Sequence, residues 1–247
     1  MFSEPFTNAH TWVHRLDARV RTGIAFVFSC VLAVATSSQQ AAFGLIAACL
    51  LLISSRPPRR PLLRRLAAVN IFLLFLWLTV PWSTPGPAAF HIGPLACTLP
   101  GLHLACLITL KANALTLLLL ALVATMPLAH FAHALHALRV PGKFVFLLLF
   151  TYRSIFLLAD EWQRLNMALR LHNFVPASNL HSYRTLGTLV GLTLVRSIDR
   201  AGRIHQAMLL RGFSGSFFSL AEFRFTRLDT CFVLAASSML ILYFLFL

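Results

Sequence analysis

Residues 102–125 form a helix-length stretch with one charged side chain, Lys111, and neither acid nor proline. Such a run restricts the chain sharply. Crossing a hydrocarbon layer takes about 20 mostly apolar residues, and only a helix or a closed barrel satisfies its backbone there. Similar runs occupy residues 22–35, 41–53, 66–80 and 231–247. The third stops at "PWSTPGPAAFHIGP", whose prolines and glycines cannot continue a helix. Composition agrees, with 58% hydrophobic and 11% charged residues, where soluble domains carry about 25% charged. The expectation is an all-α polytopic membrane protein of about five transmembrane helices. Residues 1–126 would hold four spans, 127–228 a cytoplasmic helical region, and 229–247 a final transmembrane helix.

Charge sets the expected orientation. The chain has 21 Lys+Arg against 7 Asp+Glu. With the N-terminus cytoplasmic and five alternating spans, the N-terminal segment, the "RPPRRPLLRR" loop and residues 127–228 hold 3, 5 and 12 Lys/Arg. The opposite face, "TSSQQ" and the proline-rich loop, holds none. The positive-inside rule accounts for this asymmetry, so the basic balance needs no nucleic acid as partner. A multi-pass protein of the cell (inner) membrane, in contact with lipid, is expected. The polar first twenty residues, "MFSEPFTNAHTWVHRLDARV", lack the pattern of a cleaved signal peptide. Trp82 and Tyr243, near span ends, fit interface anchors.

The central region has another texture. Residues 143–172 contain neither Gly nor Pro and follow Pro141-Gly142, which predicts a long helix. At 100° per residue, Arg153, Asp160 and Arg164 share an arc of about 40°. A second helix is predicted over residues 183–211, where Arg196, Arg200, Arg203 and Arg211 share an arc of roughly 80°. Asp199 stands four positions before Arg203, in the favourable orientation for a helical ion pair. A solvated face with snorkelling arginines explains either stripe alone. Both helices, however, end in a cationic motif followed by phenylalanine, "LRLHNF" and "LLRGF". A basic tip ringed by apolar side chains suits insertion into another protein's groove.

These residues resemble the transmembrane T component of energy-coupling factor transporters, most closely its cobalt-type branch, CbiQ. "HRLDARVR" is similar to that family's entry pattern h-x-L-D-P-R-x-K. "PLAHFAHALHALRVP" and "TYRSIFLLADEWQRLNMALRLH" follow in order. "RSIDRAGRIHQAMLLRGFSG" resembles R-S-x-x-R-A-x-R-x-x-x-A-M-x-x-R-G-F-x-G. The resemblance implies a subunit without catalysis of its own. Two x-Arg-x motifs at the ends of cytoplasmic coupling helices would seat in two ABC-type ATPase subunits, while the membrane part holds a substrate-binding (S) subunit. The second motif maps onto Leu210, Arg211 and Gly212. The first departs from the pattern. Alignment on the following phenylalanine puts His172 in place of the arginine, and alignment on Ala168 puts Arg170 there, within Arg170-Leu171-His172; of the two, Arg170 is the expected cationic contact. The resemblance implies Co2+ as cargo, with nickel or a vitamin as alternatives.

Other motifs weigh against competing functions. No GxxxxGK[ST] loop occurs, so ATP and Mg2+ would be bound by partners and no cofactor by this chain. None of the seven acids lies within the proposed spans, which argues against a proton- or sodium-coupled carrier. Lys111 is expected to pair with a carboxylate on another helix or subunit. His130, His133 and His136 suggest a metal site, yet their spacing drifts by about 120° around a helix, so packing is the simpler role. His10 and His14 stand at i, i+4 near the N-terminus. Cys30, Cys49, Cys97, Cys106 and Cys231 form no CxxC pair, so neither a zinc site nor a disulfide framework is expected. Two readings from other classes are a small lipid-modifying membrane enzyme, for which Asp160-Glu161 is the one acidic pair, and a respiratory membrane anchor. The anchor would need haem-ligating histidine pairs, and only His103 lies in a span.

Overall fold

A computed structural model describes Trp12 and residues 16–85, 87–92, 95–213 and 225–245. It has eight helices among these residues: α1 (Ala18–Val34), α2 (Ser38–Ser55), α3 (Arg59–Ser83), α4 (Leu99–Leu122), α5 (Leu128–Ala137), α6 (Gly142–Leu171), α7 (Leu180–Leu210) and α8 (Arg227–Leu245). The protein is an all-α polytopic membrane protein, interrupted by one short antiparallel hairpin, β1 (Ala88–Ile92) and β2 (Leu95–Thr98). That hairpin occupies the proline-rich segment read from sequence as a loop.

Four helices, α2, α3, α4 and α6, are long and apolar enough to cross a membrane. The first expected span is α1, which has 17 residues. The last is α8, whose first turn carries Arg227 and Asp229. The α6 helix is among them because it opens on the apolar run "KFVFLLLF" and continues through "SIFLLA", although its second half is charged.

The chain divides into two compact units. One comprises residues 3–139 and 221–247, the other residues 140–220. The expected boundary at residue 127 thus differs from the compact division at 140. The physical reason is α5, whose buried Ala134 packs with Ala18 and Met126.

The core of the first unit lies among α1, α2, α4 and α8, where Ala25, Phe28, Ala48, Leu117, Leu118, Leu122, Phe232 and Ala236 cluster. Much of this contact is made by small side chains, including Ala41, Ala47, Ala105, Ala114 and Ala121. In lipid, helices associate through close packing rather than hydrophobic exclusion, and small residues permit that approach. Gly44 is one such point: a Cβ there would lie 2.2 Å from Leu32 Cδ1.

Helix ends follow local chemistry. Asp17 caps α1 by accepting from the Arg19 amide at 2.9 Å. Ser37 and Gln40 form a reciprocal capping box on α2. Pro61 falls in the first turn of α3, where its missing N–H has no intrahelical partner to lose. The basic "RRPLLRR" segment, read as a loop, is therefore the start of that helix. Tyr243, expected as an interface anchor, is instead buried.

Polar ties fasten α4 to its neighbours. Asn70 and Asn113 exchange amide hydrogen bonds at 3.1 and 3.3 Å between α3 and α4. Lys111 donates to the Ala33 carbonyl at 2.9 Å. Ala33 lies in the last turn of α1, where carbonyls have no intrahelical partner and the dipole is negative. Within this chain, the one cation of this span meets a helix terminus rather than a carboxylate.

Candidate coupling surface

The second unit contains every residue of the two stripes and both tip motifs. α6 begins after Pro141, which cannot continue a preceding helix, and α7 begins after its N-cap Asn179, whose side chain accepts from the Ser182 amide at 2.8 Å.

Glu161 joins the two helices. Its carboxylate receives Arg196 at 2.6 Å and Arg200 at 3.1 Å. The arginines stand one turn apart on α7, so both can reach one acceptor. Glu161 retains 11% exposure of its side chain, while the two arginines retain 48% and 35%. Shielding of the carboxylate strengthens the pairing relative to a fully solvated contact. Phe150, Leu157 and Ile204 line an apolar cleft beside this clamp.

The clamp was not legible from the stripe argument. Asp160 is the acid that the helical wheel aligns with Arg153 and Arg164, yet its neighbour Glu161 makes the contact. The missed signal was the i, i+4 spacing of Arg196 and Arg200, which suits a shared acid on a facing helix. Arg153, Asp160, Arg164 and Arg203 are exposed. Among the described residues, Asp199 and Arg203 do not form the expected ion pair; the pairing arginines of α7 are the two that meet Glu161.

The ends of both helices present the motif residues outward. At the end of α7, Arg211 is the C-cap and Gly212 has φ 77°, a left-handed conformation that favours glycine. The Gly212 amide bonds to the Leu209 carbonyl at 3.0 Å, and the Phe213 amide to the Met208 carbonyl at 3.1 Å. The Phe213 ring lies 6.0 Å from that of Phe146 on α6. Leu210 is left 90% exposed. At the end of α6, His172 is the C-cap, Arg170 stands in the last turn, and Leu171 is 84% exposed. The residues beyond Phe213 in the "RGFSG" motif, Ser214 and Gly215, lie outside the described residues.

Residues 9–220 match the CbiQ family, described as cobalt transport protein. The chain belongs to this family. The resemblance read from the sequence is thereby borne out. Two curated relatives carry the name energy-coupling factor transporter transmembrane protein EcfT. The protein from Leuconostoc gelidum subsp. gasicomitatum is 24% identical over 219 residues, 84% of this chain and 82% of its own. That from Heliobacterium modesticaldum is 27% identical over 216 residues, 82% of this chain and 80% of its own.

This chain offers no cluster of three metal-ligating side chains among its described residues. His130, His133 and His136 lie on α5 without an acid or cysteine beside them. Burial lowers the His133 pKa from its ordinary value, and the neighbouring His130 and His136 add to that effect. His10 and His14 lie outside the described residues.

Proposed function

We propose that this CbiQ-family chain is the coupling subunit of an ATP-driven importer. It passes movements of two ABC-type ATPase subunits to a substrate-binding membrane subunit, and the cargo is Co2+. The observation that carries this reading is the end of α7: an exposed Leu210 beside Arg211, with the following backbone turned by Gly212. A guanidinium so placed can enter a groove and donate bidentate hydrogen bonds to a carboxylate or carbonyls. The names of the two relatives support the transporter assignment, and the description of the family supports cobalt.

The same reading assigns no catalysis to this chain. ATP and Mg2+ belong to the partners, since the sequence holds no phosphate-binding loop. Lys111 bonds to the end of α1, which gives this charge a role in the fold that needs no ion path. The basic asymmetry of the loops favours a cytoplasmic N-terminus in the cell membrane.

The test is uptake of radioactive Co2+ into vesicles containing the full complex. Uptake should require ATP and stop when the ATPase subunits are inactivated. Uptake that continues without ATP hydrolysis would refute the coupling role. ATP-dependent uptake of nickel or a vitamin in place of Co2+ would refute the cargo alone.

A further inference from the structure

Both coupling helices end in one backbone arrangement. At α6, the Asn173 amide bonds to the Arg170 carbonyl at 3.0 Å and the Phe174 amide to the Leu169 carbonyl at 3.1 Å, with Asn173 at φ 58°. The α7 end repeats this pattern with Gly212 and Phe213. Each is a Schellman ending: cap residue, left-handed residue, then an apolar residue whose amide reaches back to the last turn. Asparagine tolerates the left-handed position next best after glycine. In this correspondence His172 matches Arg211, Asn173 matches Gly212, and Phe174 matches Phe213.

The side chains repeat at the same offset. Asp160 and Asp199, Arg164 and Arg203, Ala168 and Ala207, Leu171 and Leu210, and Phe174 and Phe213 are identical pairs. Exposure follows: Leu169 and Met208 are half-buried, the next four residues on each helix are exposed, and Phe174 and Phe213 are half-buried. The offset therefore rests on backbone bonds, residue identity and burial together.

Arg170 corresponds to Leu209 under this offset. It lies two positions before the cap, turned roughly 160° around the helix from His172. A cation in the last turn of α6 has a local role, since it complements the negative end of the dipole. No partner protein is needed to explain it.

We propose that His172, not Arg170, is the first coupling contact, so the two tips differ in chemistry. This rests on the coupling role proposed above. The second tip offers a guanidinium with five donors in a planar fork. The first offers an imidazole, which when neutral has one donor and one acceptor. The groove receiving α6 therefore needs a single hydrogen-bonding group rather than a bidentate acceptor for a guanidinium. The two ATPase contacts are unequal by construction.

The experiment titrates the purified ATPase subunits onto the full chain in nanodiscs. It compares His172→Ala, His172→Gln, His172→Arg, Arg170→Ala and Arg211→Ala. All three positions changed are exposed, and each of the five variants is checked for an unchanged melting temperature. His172→Ala should weaken association by about tenfold, as expected when one buried hydrogen-bonding partner is left unsatisfied. His172→Gln and His172→Arg should retain most of it, and Arg170→Ala should match the parent. Loss in Arg170→Ala with full binding by His172→Ala would overturn the assignment. Full binding by both, with loss in Arg211→Ala, would also overturn it while leaving the coupling role standing. Full binding by all five variants would remove the coupling role itself.

Discussion

The backbone N–H of Asp17 donates to the Asp229 carboxylate at 2.7 Å, joining the starts of α1 and α8 across 212 positions of sequence. The other oxygen of Asp229 accepts from the amide and the hydroxyl of Thr226, each at 2.7 Å. Asp17 in turn caps α1. One turn further, the Arg21 guanidinium, 2% exposed, donates to the Thr125 hydroxyl just beyond α4. The beginnings of α1 and α8 and the end of α4 thus meet on one side of the first unit. A second tie, Lys111 to Ala33, lies about 18 Å along α1 from Arg21 and about 21 Å along α4 from Thr125. The near equality of the two intervals is that of an antiparallel pair pinned at both ends.

Replacing Asp229 with alanine removes three acceptor contacts and leaves the buried Asp17 amide without a partner. The expected cost is about 2 kcal/mol or more, the scale for hydrogen bonds to a charged group with one partner stranded. Asp229→Asn, which keeps one carbonyl acceptor, should cost less. Thermal unfolding of the detergent-purified chain followed by size-exclusion fluorescence measures both. Equal melting temperatures for parent and Asp229→Ala would contradict the tie.

Lys111→Met tests whether this cation serves the fold or a transport path. Loss of a cation at a helix C-terminus should lower stability by about 1 kcal/mol. Initial rates of Co2+ uptake per folded complex should stay within about twofold of the parent, since no transport step uses the amine. Abolished uptake at unchanged stability would place Lys111 on the path.

Orientation can be read by single-cysteine labelling in a background lacking the five native cysteines. Ser38→Cys should react with an impermeant maleimide from outside, and Ser178→Cys only after the membrane is opened. The second position is decisive because α6 is long and apolar enough to cross. Labelling of Ser178→Cys from outside intact cells would mean that α6 spans and that the five-span topology is wrong.

Periodicity and punctuation made the helices legible. Pro141-Gly142 predicts the start of α6 at residue 143, and the structure starts it at Gly142. Arg-Gly-Phe predicts the end of α7, which falls at Leu210. The hairpin after α3 was hidden because the signals that exclude helix, Pro and Gly, do not separate a loop from two short strands. Ties between distant residues were hidden for a different reason. Nothing local links Asp17 with Asp229 or Lys111 with Ala33, and a backbone carbonyl leaves no mark in the side-chain sequence. Glu161 was overlooked because a helical wheel groups residues on one helix and says nothing of the acid facing a neighbour.

The coupling account depends most directly on Arg211. In the assembled complex, Arg211→Ala should weaken binding of the ATPase subunits or uncouple hydrolysis from Co2+ uptake, by about 2 to 5 kcal/mol for a desolvated charged contact that loses one partner. Arg211→Lys should recover part of this, because a point charge lacks the planar fork. Arg200→Ala should have a smaller effect, since Arg196 still holds Glu161. The measurement is ATPase co-purification together with ATP-dependent Co2+ uptake for the three variants. The account predicts loss in Arg211→Ala with a folded membrane unit; normal assembly and uptake in Arg211→Ala, with loss in Arg200→Ala, would contradict it.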